Sequence, residues 1–197
     1  MEETKNVLIT GAAQGIGAGI AWAYGQAGYH VIAADLEGSR LQATVRGLVA
    51  EGFDVSDAFV DVTDVDTLSR QIEEIDQDKP LSTVVANAGV GLEKAFALVT
   101  ETEFDRIFSV NVKGTYFTMQ AAFRCMVNRG SGSIIAIAST SSFAASTGQM
   151  SIYDSSKGAV RSLVGAVAKE VASTGIRVNA IAPGTVATQL TRRLATD

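Results

Sequence analysis

The sequence predicts an α/β protein, a doubly wound parallel sheet with helices on both faces. Three observations carry that prediction. Short β-branched runs alternate with helical patterns along nearly all of the 197 residues, the rhythm of successive βαβ units joined by right-handed crossovers. The strand-like runs are mostly apolar throughout instead of alternating in polarity, as strands covered on both faces are. The motifs with chemical character fall just after those strands, at the carboxyl ends where such sheets bind ligands.

Six strands are expected, at Asn6–Thr10, Tyr29–Asp35, Asp57–Asp61, Ser82–Ala86, Ser133–Ala138 and Arg177–Ala182. Between the second and third, Leu41, Val45, Leu48 and Val49 recur at helical spacing; between the third and fourth, Val65, Leu68, Ile72 and Ile75 do the same. Thr100-Glu101-Thr102-Glu103 is a capping-box sequence. It opens the longest helix, about 100–129, which carries Phe104, Ile107, Phe108, Met119, Phe123 and Met126. Tyr153 opens another helical run, Lys157–Ser173, within a helix at about 153–174. The two prolines punctuate: Pro80 leads into the fourth strand and Pro183 ends the sixth. With no repeat, low-complexity tract or linker, residues 1–197 read as a single domain.

Composition excludes several classes of function. Hydrophobic residues make up 47% and charged residues 19%, which suits a globular chain and not a disordered one. The net charge is −5, with Lys and Arg scattered, so no nucleic acid is expected as a partner. No apolar run approaches the ~20 residues that cross a bilayer, so no membrane is expected either. The acidic Met1-Glu2-Glu3 and a first strand starting by Asn6 leave no room for a secretory signal, and the expected compartment is cytoplasmic. Cys125, the only cysteine, lies in an apolar helical stretch and reads as a small core residue. His30 is the only histidine, so neither a metal site nor a His-based triad is expected.

Two motifs point to chemistry. Tyr153 and Lys157 stand four apart, which puts both side chains on one helical face, one turn apart. A phenol ionises near pH ~10. An ammonium beside it favours the phenolate and lowers that pKa, so the pair is a candidate acid/base device. The second motif, Thr10-Gly11-Ala12-Ala13-Gln14-Gly15-Ile16-Gly17, lies between the first strand and the following helix. Its glycines permit a tight turn with the backbone close to a phosphate, and the helix start offers free N–H groups to an anion. Asp35 closes the second strand 18 residues beyond Gly17. A carboxylate there accepts from adenosine ribose hydroxyls and repels a 2′-phosphate. The alternative for Asp35 is an ordinary helix cap. Asp61-Val62 follows the third strand and either meets an adenine or caps the helix from Asp64. Asn87-Ala88-Gly89 follows the fourth strand as a small, backbone-exposing turn beside the cofactor. The cofactor expected is NAD, with NADP the alternative: Gln14 and not Arg or Lys sits in the glycine turn, and Leu36 follows Asp35.

On Thr10–Gly17, Asp61, Asn87–Gly89, Asn111, Ser139, Tyr153–Lys157 and Pro183-Gly184-Thr185-Val186-Ala187-Thr188, in that order, the chain resembles the classical short-chain dehydrogenase/reductase family from about residue 5 to residue 190. The resemblance implies a Rossmann-type fold and a set of roles. Tyr153 exchanges a proton with the substrate oxygen, and Lys157 lowers the Tyr153 pKa and holds the nicotinamide ribose. Ser139 hydrogen-bonds the substrate carbonyl or hydroxyl. Ser141 is the runner-up for that role in the Ser139-Thr140-Ser141-Ser142 cluster. Asn111 bends the long helix and holds a water joining Lys157 to solvent, or is only a polar packing residue. Thr188 contacts the nicotinamide carboxamide, and Pro183, Gly184 and Val186 flank it. Ala86 departs from the family's first Asn in Asn-Asn-Ala-Gly, Ser155 from a common Ala, and Ala136 from a common Asn.

The chain ends at Asp197, where the family usually continues through a substrate-covering segment, a helix and a seventh strand; six strands are therefore expected here. Apolar residues at 186, 190 and 194 suit the first helix of that cover. The activity implied is hydride transfer between a nicotinamide cofactor and a small secondary alcohol or its ketone. Val90, Leu92, Ser141, Phe143, Gln149 and Val186 are candidates to line the substrate pocket. A non-catalytic nucleotide-binding protein or redox sensor is the alternative, and a structural or interaction protein a third. A homo-oligomer, dimer or tetramer, is expected through helices at about 100–129 and 153–174.

Overall fold

Each strand run of the sequence becomes a strand of one parallel sheet. The computed structural model describes residues 5–36 and 38–188. The elements are β1 (Asn6–Thr10), α1 (Gly15–Gln26), β2 (His30–Asp35), α2 (Gly38–Ala50), β3 (Val55–Phe59), α3 (Val65–Asp78), β4 (Leu81–Ala86), α4 (Glu101–Phe108), α5 (Thr115–Val127), β5 (Gly132–Ile137), α6 (Ser151–Glu170) and β6 (Ile176–Ile181). The sheet order is β3-β2-β1-β4-β5-β6, every pair parallel. The chain order reverses between β1 and β4, which opens a crevice at their carboxyl ends.

Strand alternation divides the core in two. Leu8, Ile32, Ala34, Val84, Ala86 and Ile134 face α3, α5 and α6 through Leu68, Ile72, Met119, Met126, Val160 and Val164. Val7, Ile9, Val31, Ala33 and Val85 face α1 and α2 through Ala21, Leu41 and Leu48. Each fully buried Leu or Ile contributes about 1.5–3 kcal/mol, so the continuous apolar strands are explained by burial on both sides.

The other strand ends agree with expectation to within one residue, and three elements differ by more or in form. The third strand lies at Val55–Phe59 and not Asp57–Asp61. Among the described residues it pairs only with β2, at the edge of the sheet, and it is only partly buried, so its apolar content marks its position weakly. The long helix is broken by a π-helical turn at Ser109–Gly114 between α4 and α5. The last helix begins at Ser151, which places Tyr153 in its first turn. The helix expected around residues 186, 190 and 194 falls mostly outside the described residues; 182–188 is irregular chain.

The amino ends of the strands carry their own polar network. His30 Nδ1 lies 2.8 Å from Asp54 Oδ1, and His30 Nε2 lies 3.1 Å from Ser56 Oγ and 2.9 Å from Lys79 Nζ. An ammonium only donates, so Nε2 is an acceptor and Nδ1 carries the proton. Asp54, His30 and Ser56 stand in the order of a hydrolytic triad, but Lys79 takes the lone pair a base would need. Nearby, Asp76 receives both Arg129 Nη1 (2.7 Å) and Nη2 (2.8 Å), and accepts the Leu81 N–H at 2.8 Å.

Candidate active site

The glycine turn is shaped by contacts that exclude side chains. Gly11 and Gly15 have φ of +68° and +58°, a region that disfavours every residue with a Cβ. A Cβ on Gly17 would collide with the Gly11 carbonyl oxygen and come within 2.6 Å of Asn87 Nδ2. Asn87 straps the turn from β4, donating from Nδ2 to Thr10 O (2.9 Å) and Gly11 O (3.1 Å). The Asn87 and Ala88 N–H groups donate to Thr10 Oγ1. The amino end of α1 has no side-chain cap and no acidic residue in its first turn. Its N–H groups and dipole suit an anion.

Asp35 binds that turn to β2: its Oδ2 accepts the Ala13 N–H at 2.9 Å. Gln14 Oε1 accepts from Arg40 Nη1 at 2.9 Å, so α2 brings a guanidinium near the turn that the residues of the turn itself do not supply. Asp61 Oδ1 accepts from Thr63 N and Oγ1 at 2.8 and 2.7 Å. The cap of α3 is Asp64, not Asp61.

Across the crevice stand Ser139, Tyr153 and Lys157. Lys157 is 4% exposed and donates from Nζ to Ile137 O at 2.8 Å; Nζ lies 5.9 Å from the centre of the Tyr153 ring. A Cβ on Gly89 would lie 3.4 Å from both Lys157 Nζ and Asn111 Oδ1, so glycine there keeps that space open. Asn111 is fully buried within the π-helical turn. Its Oδ1 accepts from Val90 N (2.8 Å), and its Nδ2 donates to Val90 O (2.9 Å) and to Ser156 Oγ (3.0 Å). Ser156 in turn donates to Tyr153 O at 2.7 Å. One buried amide thus joins the end of β4 to the Tyr153 helix. Ser156 was not singled out from the sequence, because its partner is 45 residues away.

Burial sets the protonation states. It pushes the Tyr153 phenol above its ordinary value; the Ser139 hydroxyl, as hydrogen-bond partner, lowers it and the Asp154 charge raises it. Burial pushes the Lys157 ammonium down to about 8. In the chain alone Tyr153 lies above its ordinary pKa and not below it as the pairing with Lys157 implied: desolvation is the largest cause, and Lys157 is not among the groups that move it.

A cleft of about 410 Å³ joins the two halves, within the size range of small-molecule sites. Gly11, Gln14, Gly15, Ile16, Gly17, Asp35, Asp61, Val62, Asn87, Ala88, Gly89, Ser139, Tyr153, Lys157, Pro183, Gly184, Val186 and Thr188 line it. Asn111 lies behind it. All six strands contribute at their carboxyl ends. Pro183 is placed there because its carbonyl accepts from Thr140 N at 3.0 Å. Thr188 folds back toward the turn, where a Cβ on Gly15 would meet its methyl at 3.3 Å. Leu36, Val60, Thr63, Val110, Ile137 and Ala138 also line the cleft. Their places at or after strand ends could have marked all but Val110, which lies in the π-helical turn. Of the substrate-pocket candidates, Val90 and Val186 line it; Leu92, Ser141, Phe143 and Gln149 do not. Phe143 instead packs on the Arg161 guanidinium, 4.5 Å from the ring centre.

Known proteins share this arrangement. The family model described as short chain dehydrogenase matches residues 5–197. The 5-keto-D-gluconate 5-reductase of Escherichia coli is 36% identical over 196 residues, covering 98% of this chain and 76% of that protein. The 3-oxoacyl-[acyl-carrier-protein] reductase of Staphylococcus aureus is 34% identical over 200 residues, covering 100% and 80%. The crystal structure of a gluconate 5-dehydrogenase from Burkholderia cenocepacia in complex with NADP and tartrate superposes with a TM-score of 0.91 at 30% identity, covering 98% of this chain and 76% of that one. The glycine turn, the parallel sheet and the Tyr–Lys helix thus belong together by descent as well as geometry, and the chain is a member of the short-chain dehydrogenase family of oxidoreductases.

Proposed function

We propose that this protein is an NAD-dependent oxidoreductase that interconverts a secondary alcohol and its ketone, with Tyr153 as general acid/base. The observation that carries this reading is that Ser139, Tyr153 and Lys157 share one cleft with the glycine turn. A nicotinamide dinucleotide fits the residues present: the uncapped amino end of α1 and the glycine turn would hold the pyrophosphate, and Asp35 the adenosine ribose. When bound, that cofactor supplies or accepts the hydride. The rest falls to the protein. Tyr153, kept protonated by burial, is ready to give its proton to a carbonyl oxygen in reduction and to take it back in oxidation. Ser139 donates to the same oxygen and stabilises its developing charge. Lys157 holds the ribose and returns protons to Tyr153, and Asn111 holds the path from Lys157 toward solvent.

The relatives' names, a ketogluconate reductase and a 3-oxoacyl reductase, set the first substrates to try: 5-keto-D-gluconate and acetoacetyl-CoA. Tyr153→Phe is expected to bind NADH like the parent while kcat/KM falls roughly 10²–10⁴-fold, the share general acid/base catalysis carries. Full turnover by that variant would end the assignment. The preference for NAD rests on the Asp35 carboxylate, which opposes a 2′-phosphate. Fluorescence titration is expected to show NADH binding at least tenfold tighter than NADPH, about 1.4 kcal/mol, with Asp35→Ala narrowing the gap. Equal affinities in the parent would contradict it. We also assign a homodimer to the α4–α5 and α6 faces.

A further inference from the structure

Between Ser139 and Tyr153 the chain leaves the sheet and returns, and one carboxylate holds that excursion. Asp154 Oδ2 accepts the Ser146 N–H at 2.8 Å and Oδ1 accepts the Ser146 hydroxyl at 2.7 Å. A carboxylate only accepts, so the Ser146 proton is committed to Asp154. In the 3.0 Å contact between Ser141 Oγ and Ser146 Oγ, Ser141 is then the donor. The Ser141 N–H donates to Ser139 Oγ at 3.1 Å, and the Ser139 N–H to Ser142 Oγ at 3.3 Å. Hydroxyl proton directions are thereby fixed from Asp154 to Ser141, and the Ser141 backbone N–H carries the connection on to Ser139. With one lone pair of Ser139 Oγ filled by an N–H, its own proton is left for the cleft. The order also separates the two serines: Ser141 spends its proton on Ser146, while Ser139 lines the cleft. Arg161, two turns along the same helix, donates to Ser142 O at 3.3 Å and holds the outer side of the segment.

We propose that Asp154 is a positioning residue, which clasps the 139–150 segment to the Tyr153 helix through Ser146 and Ser141 and so holds the Ser139 hydroxyl as a donor into the cleft. The proposal rests on the roles given above to Ser139 and Tyr153. Asp154 also bears on Tyr153 directly, since its charge disfavours the phenolate. The other groups around that phenol are the Ser139 hydroxyl and Lys157.

The two effects come apart in Asp154→Asn, which removes the charge and leaves one acceptor oxygen for the two Ser146 donors, and Ser146→Ala, which keeps the charge and removes the hydroxyl link. Ser155→Ala is the control; that hydroxyl is exposed and donates to Ser151 O in its own helix. Amide hydrogen exchange across 139–150 is expected to quicken about tenfold or more in Asp154→Asn and Ser146→Ala, and to stay at the parent rate in Ser155→Ala. With 5-keto-D-gluconate or acetoacetyl-CoA, kcat should fall roughly 10- to 100-fold in both, the penalty of a misplaced group. Ultraviolet titration of the Tyr153 phenolate, taken as the difference from matched Tyr153→Phe proteins, should move to lower pH in Asp154→Asn and not in Ser146→Ala. Parent-like exchange in both variants, or an unmoved titration in Asp154→Asn, would overturn the proposal. A parent that turns over neither substrate would instead count against the proposed function, and exchange and titration would still decide the role of Asp154.

Discussion

At the scale of single residues, Lys157 is placed at a thermodynamic disadvantage. Its ammonium is 4% exposed, with the Ile137 carbonyl as its hydrogen-bond acceptor, and burial moves its pKa from 10.5 to about 8. Below pH 8 both folded and unfolded chains carry the proton, and the full desolvation penalty opposes folding. Between about 8 and 10.5 the unfolded chain binds more protons, so stability rises with pH; above 10.5 the penalty is gone. A displacement of this size corresponds to roughly 3 kcal/mol. Lys157→Met lacks this titration. Urea unfolding of parent and variant should therefore show the parent gaining about 2–3 kcal/mol relative to Lys157→Met from below pH 8 to near pH 10.5. A constant difference across that range would refute the buried charge. The same residue shows what the sequence could and could not tell. The spacing of Tyr153 and Lys157 was enough to find the pair, whereas the direction of the Tyr153 displacement depends on how much of the fold covers it. The contacts of Ser156 and Asp154 were invisible in the sequence, because their partners are brought to them only by the folded chain.

Among the elements, the least legible were those whose form depends on a distant contact. The 100–129 run has helical periodicity throughout, and its periodicity does not announce the π-helical turn; only the family resemblance, through the bend expected at Asn111, pointed to it. That turn coincides with the bonds that fix Asn111 to Val90, made in the fold and not in the run. β3 slipped by two residues because an edge strand needs less apolar surface. The glycine turn was plain, since its positive φ angles and close approaches admit glycine alone. Stability has its own element-scale device at the opposite end of the sheet. Asp76 of α3 joins Arg129, after α5, to the first residue of β4, and Arg129 Nη2 also donates to Leu81 O at 3.1 Å. Asp76 is 9% exposed, and its partnership raises the Arg129 pKa. Asp76→Ala leaves a partly exposed guanidinium and a β4 N–H without their acceptor, a loss of about 1–3 kcal/mol. Denaturant unfolding should show that loss. NADH affinity, measured where the variant is still folded, should stay within about twofold of the parent, because additivity holds for sites this far apart. A variant as stable as the parent would show the clip to be idle.

For the whole molecule, the order of strands and motifs was enough to predict the sheet and the end at which its cleft opens. It could not show which surfaces the fold leaves uncovered. Phe104 on α4 and Tyr116 on α5 remain 47% and 43% exposed, although both belong to the helical run that packs the core. Phe104 stacks on Phe108 at 4.4 Å and Tyr116 meets Phe117 edge to face at 5.1 Å, so these rings are already ordered, and little entropy opposes their burial against a partner. Exposed large rings on one helical run suit an interaction site, and a two-fold axis would pair that run with itself. The proposed dimer would also brace the site, since the π-helical turn bearing Asn111 lies between these two residues. Sedimentation of the parent is expected to give twice the chain mass at micromolar concentration. The double variant Phe104→Asp, Tyr116→Asp should weaken the dimer by about 100-fold or more, since two buried carboxylates facing each other across a two-fold axis oppose association by at least ~3 kcal/mol. NADH turnover per chain should then fall with dilution in step with the dimer population. A parent that sediments as one chain at every concentration would remove the dimer, and a double variant that still pairs would move the interface to another face.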